Sequence, residues 1–151
     1  MERFSMKEAK GEAIRWFLQG EDDLRFVEWV LKENKFFDKG CFMAQQAGEK
    51  FLKACLYARG ERHVIGHSLF VMAQELATFD GSFQDIVNEA KRLDRFYIPT
   101  RYPNGLPGGS PFEIYSAGDL TGAWEDLKRI FEAARNFLER QGIIGHNTDK
   151  S

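Results

Sequence analysis

Three side chains close together in the second half of the chain could hold a phosphate and a base. Arg101 lies between Tyr97 and Tyr102, in a run that reads Tyr-Ile-Pro-Thr-Arg-Tyr-Pro. A guanidinium can donate two parallel hydrogen bonds to a phosphate, and an aromatic ring can stack on a base. These residues predict a site for a nucleotide or an RNA end. The alternative is structural: the tyrosines would pack the segment onto the fold while Arg101 pairs with a carboxylate.

Three basic side chains earlier in the chain are further candidates for contact with the same ligand. Lys50 and Lys53 lie at the margin of an apolar helical stripe, and their alternative role is a solvated surface. His67 precedes a predicted helix and can titrate near neutral pH, although it could equally serve the entry of that helix. We include all three in the predicted nucleotide- or RNA-binding site.

Other kinds of chemistry have little support in the residue pattern. Ser68 has no recognisable base and acid partners for a hydrolytic triad. His63 and His67 have no further ligand of suitable type nearby, whereas structural zinc takes four. Cys41 and Cys55, the only cysteines, would lie about 21 Å apart on one helix, too far to bridge or share a metal. We predict neither a metal site nor a cofactor.

Apolar residues recur at helical spacing along most of the chain. The pattern predicts helices over 12–34, 38–60, 68–78, 83–96 and 116–142, with Asp38 capping the second and a Ser116–Asp119 capping box opening the last. No segment alternates in the manner of a strand. We predict an all-α, up-and-down bundle of four to five helices in one domain, residues 1–142, followed by a disordered tail at 143–151.

All four prolines of the chain fall in one connection. Pro99, Pro103, Pro107 and Pro111 lie within 98–115 together with three glycines. Proline removes a backbone donor and disrupts helix interiors, so this stretch is predicted to lack regular structure. A connection of such length inside a compact domain is often functional.

Composition limits the cellular setting and the partners. The 151 residues carry a formal charge of −2, and the pI is near 6.0. This balance argues against a protein whose whole surface binds polyanions, although a local basic patch remains open. Residues 1–12 are too polar for a signal peptide, and no apolar run is long enough to span a bilayer. We expect a reduced, cytoplasmic protein with no membrane partner.

Large apolar and amide side chains at the start of the second helix predict self-association. Phe37 and Phe42 crowd this region together with Phe36, more than one buried stripe accommodates. Gln45 and Gln46 beside the stripe need partners for their amides, either inside the bundle or across a dimer. We predict a homodimer or partner interface at Phe37, Phe42, Gln45 and Gln46, with an overfilled core as the alternative.

Three runs of sequence resemble the HEPN domain family over roughly residues 13–138. They read CFMAQQAGEKFLKA at 41–54, GHSL at 66–69 and LDRFYIPTRYP at 93–103. The resemblance implies a helical bundle that forms homodimers and is paired with a small nucleotidyltransferase. In such pairs the helical subunit is either a nucleotide-binding partner or a ribonuclease toxin that its partner restrains.

The sequence departs from the ribonuclease members of that family at one motif. Those members carry an Arg, four to six residues and then a His, which could hold a phosphate and transfer a proton at the ribose 2′-OH. Here Arg101 is followed by Tyr-Pro-Asn-Gly-Leu-Pro, and the next His is His146. The one formal match, Arg62 with His67, lies in the loop after the second helix.

We therefore predict a non-catalytic module that binds a nucleotide or RNA, partners a nucleotidyltransferase, or does both. One alternative is a metal-independent ribonuclease that uses Arg62 and His67 or an unrecognised pair. The other is a purely structural partner subunit.

Overall fold

The computed structural model describes residues 5–145, and within that range every regular element is helical. Three long helices form the framework: α1 (Met6–Glu33), α2 (Phe37–Ala58) and α6 (Ala117–Arg140). The shorter elements are α3 (Leu69–Ala77), a 3₁₀ helix at Gly81–Ile86, α4 (Val87–Asp94), a 3₁₀ turn at Pro103–Gly105 and α5 (Pro111–Ile114). Helix α2 packs against α1, α3 and α6. The predicted all-α bundle is confirmed.

Helix α1 begins earlier than the apolar pattern predicts, at Met6 rather than residue 12. The reason is a capping box: the Ser5 hydroxyl accepts from the Glu8 N–H, and the Glu8 carboxylate accepts from the Ser5 N–H. These bonds satisfy two of the amides that a helix start leaves without partners. The first turns are polar because they lie largely exposed to solvent.

The prediction that Asp38 caps α2 is wrong. The helix begins one residue earlier, at Phe37, and Phe36 occupies the capping position with φ of 56° in the left-handed region. Asn34 has a similar φ of 58°. Two left-handed residues within three positions reverse the chain tightly between α1 and α2. As a result, Asp38 lies inside the first turn of α2 and is buried.

The proline-rich connection contains two short helical elements, so the prediction that 98–115 lacks regular structure is also wrong. Pro103 and Pro111 each stand at the start of one of them. A helix start tolerates proline because its first amides have no partner within the helix. Ser110 and Glu113 form a capping box on α5, and the predicted box of Ser116 and Asp119 on α6 is confirmed.

The core follows the predicted stripe of α2 closely. Its members are all buried: Ala44, Ala47, Gly48, Phe51, Leu52, Cys55 and Leu56. The Phe51 ring packs against Phe17 and Phe131, with centroids 5.5 and 5.2 Å apart. A Cβ on Gly48 would come within 2.5 Å of the Leu69 side chain. The small end of the stripe is therefore where α3 approaches α2.

Cys41 and Cys55 are both free thiols, and both are buried. Burial raises the pKa of the Cys41 thiol to about 12, so this side chain serves packing rather than reactivity. At the other end of the chain, Ile143 is buried and Ile144 packs against the core. These two residues of the predicted tail belong to the bundle, whereas residues 146–151 lie outside the described residues.

None of the helices between residues 5 and 145 combines the length and the apolar character that crossing a membrane requires.

Candidate functional site

The Arg101 side chain lies among three aromatic rings at the surface. Its guanidinium carbon is 4.8 Å from the ring centre of Phe42, 4.7 Å from that of Tyr97 and 5.2 Å from that of Tyr102. These distances are within the range of cation–π attraction. We call this group of Arg101, Phe42, Tyr97 and Tyr102 the arginine cage.

A backbone hydrogen bond fixes the direction of the guanidinium. The Arg101 Nε donates to the Tyr97 carbonyl oxygen at 2.8 Å. Among residues 5–145 no carboxylate lies within ion-pair distance of Arg101, and its terminal nitrogens have no hydrogen-bond partner there. The structural alternative, an Arg101 neutralised by a carboxylate, is therefore not what the described chain shows. Two parallel donors on an exposed guanidinium suit the paired oxygens of a phosphate.

His67 contacts the Tyr97 ring of the cage. The two rings stack with centroids 5.0 Å apart and an angle of 22° between their planes. The His67 Nδ1 lies 3.2 Å from the Glu49 carboxylate, and the Gln45 amide donates to the His67 carbonyl at 3.0 Å. Sequence reasoning placed His67 in the site, and the structure brings it to Tyr97 as a stacking partner.

The two predicted lysines are held in ion pairs within the bundle. The Lys53 Nζ lies 2.9 Å from the Glu49 carboxylate, both side chains are buried, and the ammonium faces the ring of Trp16. The Lys50 Nζ lies 2.6 Å from the Asp23 carboxylate. Lys53 therefore reaches the cage only indirectly, through Glu49 and His67, and Lys50 belongs to the α1–α2 contact.

The four residues predicted for an interface occupy different settings. Gln45 is fully buried and presents no surface to a partner. The Gln46 side-chain amide donates to the Gln45 side-chain oxygen at 2.8 Å. Phe42 is part of the arginine cage. Phe37 is half-buried against the core. The NH₂ groups of Gln45 and Gln46 thus both donate to acceptors inside the chain.

Asp94 is a positioning residue that the sequence reasoning did not identify. Its carboxylate accepts hydrogen bonds from the Ser68 hydroxyl at 2.9 Å and from the amides of Leu69 and Phe70 at 2.8 and 3.0 Å. It therefore caps the N-terminus of α3 from the end of α4, three residues before Tyr97. An acidic residue at the end of a helix, where the dipole disfavours it, was the available signal.

A cavity of about 360 Å³ opens beside the cage, between the start of α2, the turn at 100–103 and α5. Arg101 and Phe42 line it together with Lys39, Asp38 and Phe112. The sequence reasoning assigned no binding role to the last three of these residues. The volume falls in the range of small-ligand sites.

The Arg62–His67 spacing has no comparable support. The contacts of His67 described above are with Tyr97, Glu49 and Gln45. The pKa of Glu8 is lowered mainly by its hydrogen bonds with Ser5, and the positive charge of Arg62 lowers it further.

Comparisons with known proteins agree with this architecture. A family model described as the HEPN domain matches residues 13–144. The crystal structure of TT1696 from Thermus thermophilus is 32% identical with a TM-score of 0.78, covering 84% of this chain and 98% of that one. The crystal structure of ST0689, an archaeal HEPN homologue, is 28% identical with a TM-score of 0.67, covering 83% and 96% respectively. No curated protein matches the chain.

Proposed function

Because the chain belongs to the HEPN domain family, we propose that it is a non-catalytic helical module that binds a nucleotide or RNA at the arginine cage. We further propose that it acts as a homodimer and as the partner of a small nucleotidyltransferase. The absence from the sequence of a His four to six residues after Arg101 favours binding over catalysis.

The observation that carries the proposal is the state of Arg101. Its side chain is exposed, fixed by one backbone hydrogen bond and surrounded by three aromatic rings, and no carboxylate in the described chain neutralises it. A structural arginine at a protein surface commonly pairs with an acid, whereas a phosphate-binding arginine needs its paired donors available. The neighbouring rings provide surfaces on which a base can stack.

Exposed apolar side chains in and next to the cage support an association surface. Ile98, Tyr102, Phe112 and Ile114 are all exposed on the 98–115 connection, Phe112 to 70%. Isolated apolar side chains at a surface are ordinary, but four on one connection are typical of a contact with another protein. A second copy of the chain or the nucleotidyltransferase could cover them.

We expect Arg101→Ala to weaken the binding of a nucleoside monophosphate or a short RNA at least tenfold. The variant loses both phosphate donors and the cation between the rings, while it removes no buried contact. Arg101→Lys should restore only part of the affinity, because an ammonium keeps the charge but lacks the planar pair of donors. Isothermal titration calorimetry measures both changes.

Arg25→Ala is the matched control, since Arg25 is an exposed arginine on α1 that pairs with Asp22, three residues before it. It should bind as tightly as the unaltered protein, and circular dichroism should show the same helical content in all three variants. An Arg101→Ala protein that is folded and binds with unchanged affinity would remove Arg101 from the site.

The ribonuclease alternative has one observation in its favour, because the structure brings His67 and Arg101 to the same Tyr97 ring. Incubating RNA with a high concentration of the protein in the presence of a chelator separates the two functions. We expect the RNA to remain intact. Cleavage that His67→Ala abolishes, with the folded state unchanged, would replace the binding proposal with a metal-independent ribonuclease.

A further inference from the structure

The His67 ring has one nitrogen engaged inside the bundle and the other at the surface. Its Nδ1 lies 3.2 and 3.3 Å from the two oxygens of the Glu49 carboxylate. Its Nε2 has no hydrogen-bond partner among the described residues. The His67 side chain is 56% exposed, whereas that of Glu49 is only 8% exposed. The ring therefore turns Nδ1 inward and leaves the edge that carries Nε2 toward solvent.

Glu49 determines which of the two ring nitrogens carries the proton. The carboxylate forms an ion pair with Lys53, whose ammonium lies 2.9 Å from it. An ionised carboxylate only accepts hydrogen bonds, so the His67 nitrogen that faces it must be an N–H donor. In a neutral imidazole the other nitrogen then has no hydrogen and accepts. Glu49 thus makes Nε2 of His67 a hydrogen-bond acceptor at the surface.

The position of His67 beside the arginine cage indicates which donor this acceptor would meet. The His67 ring centre lies 5.0 Å from that of Tyr97, and the Arg101 guanidinium carbon lies 4.7 Å from the same Tyr97 ring centre. A phosphate diester on Arg101 offers only acceptors, and the group bonded directly to it is the sugar. In an RNA strand the 3′ and 5′ oxygens of the sugar are esterified, so its free donor is the 2′-hydroxyl, which DNA lacks.

We propose that the arginine cage binds single-stranded RNA and that His67 selects RNA over DNA, because its Nε2 accepts a hydrogen bond from a 2′-hydroxyl. The inference rests on the proposed function, since it assumes that Arg101 holds a phosphate of the same strand. The contact is one of recognition: the hydroxyl is held in place, and no bond to phosphorus forms or breaks. Glu49 is the positioning residue, because it acts through the His67 ring.

The test compares three short uridine oligonucleotides of equal length by titration calorimetry on the full chain. One is RNA, one is DNA with the same uracil bases, and one is a 2′-fluoro strand, which keeps an RNA-like sugar shape without an O–H donor. We expect RNA to bind about tenfold more tightly than either of the others, the equivalent of about 1.4 kcal/mol and within the range of one hydrogen bond. A 2′-fluoro strand that binds as tightly as RNA would overturn the role of the hydroxyl as donor.

His67→Phe removes both ring nitrogens and keeps an aromatic ring that can stack on Tyr97. In this variant the affinity for RNA should fall to that for DNA, while the affinity for DNA should change by less than about twofold. His63→Phe is the matched control, since His63 is an exposed histidine of the same loop. It should keep the full preference for RNA.

Nitrogen-15 NMR tests the proton position in the unaltered chain, so the inference can be tested even if His67→Phe fails to fold. At about pH 8, where histidines are largely neutral, the Nε2 signal of His67 should be that of a nitrogen without a hydrogen. Adding the RNA strand should shift this signal, and adding the DNA strand should not. A hydrogen on Nε2 and none on Nδ1 would overturn the inference.

The possible failures are distinguishable. Equal affinities for the three strands, with binding still lost in Arg101→Ala, would overturn the selection of RNA and leave the proposed function standing. Binding of a nucleoside monophosphate without binding of the RNA strand would have the same meaning. Absence of binding by any nucleotide or RNA would overturn both. A preference for RNA that His67→Phe leaves unchanged would overturn the role of His67.

Discussion

Replacing Glu49 with alanine is expected to lower the free energy of unfolding by about 3–5 kcal/mol, the usual cost of removing one partner of a buried ion pair. Glu49 and Lys53 lie one helical turn apart on α2, and each is 6% exposed. Without Glu49, the Lys53 ammonium would remain in the interior with the Trp16 ring as its remaining described contact. Urea unfolding followed by circular dichroism measures the loss.

A double variant separates the pair from ordinary packing. Glu49→Leu with Lys53→Met removes both charges at similar volume and should recover most of the stability, because no unpaired charge remains buried. Glu125→Ala breaks an exposed pair with Lys128 on α6 and should cost no more than about 0.5 kcal/mol. If the single variant Glu49→Ala costs as little as Glu125→Ala, the pair contributes nothing to stability.

The same variants bear on Lys53 as a predicted ligand contact. The folded double variant lacks the Lys53 ammonium but keeps the arginine cage. If it binds nucleotide as tightly as the unaltered chain, then Lys53 acts within the bundle and not on the ligand. A folded double variant with lower affinity would show that the pair contributes to binding, either through Lys53 itself or through the contact of Glu49 with His67.

The core could be predicted from the sequence because the buried face of a helix requires apolar residues at a regular spacing along the chain. Every residue of the α2 stripe is buried where the 3.6-residue spacing places it. Helix boundaries were harder to predict, because several residue types can form the side-chain hydrogen bonds that cap a helix. Asp38 has the side chain of a capping residue, yet the tight turn of Asn34 to Phe36 moves it into the helix.

The candidate site was predictable only as far as it is continuous in sequence. Tyr97, Arg101 and Tyr102 lie within six positions, and their residue types indicate phosphate and base contact. Phe42 joins the cage from 59 positions before Arg101, which no local pattern predicts. The ion pair of Lys50 was equally hidden, because its carboxylate lies on another helix, at Asp23.

Replacing Asp94 with alanine is expected to lower the free energy of unfolding by about 2–4 kcal/mol. The carboxylate accepts three hydrogen bonds, and a hydrogen bond to a charged group contributes about 1.5–3 kcal/mol. The expected loss is smaller than their sum because the three donors can bond to water in the variant. Two of the donors are the Leu69 and Phe70 amides at the start of α3, where a negative charge also complements the helix dipole. Asp94→Asn keeps one acceptor oxygen and should lose about half as much.

The effect should extend to the arginine cage, because Asp94 connects two parts of the site. Its side chain holds Ser68, next to His67, while its backbone oxygen accepts from the Tyr97 amide at 3.3 Å. His67 and Tyr97 stack on each other, so a freed α3 N-terminus loosens the ring on which Arg101 rests.

Folded Asp94→Asn should therefore bind nucleotide several-fold more weakly, and the Leu69 and Phe70 amides should exchange with solvent faster. Asp22→Ala, at an exposed acid on α1, should change neither measurement. Slow exchange of both amides in Asp94→Asn would show that the cap does not hold α3 in place.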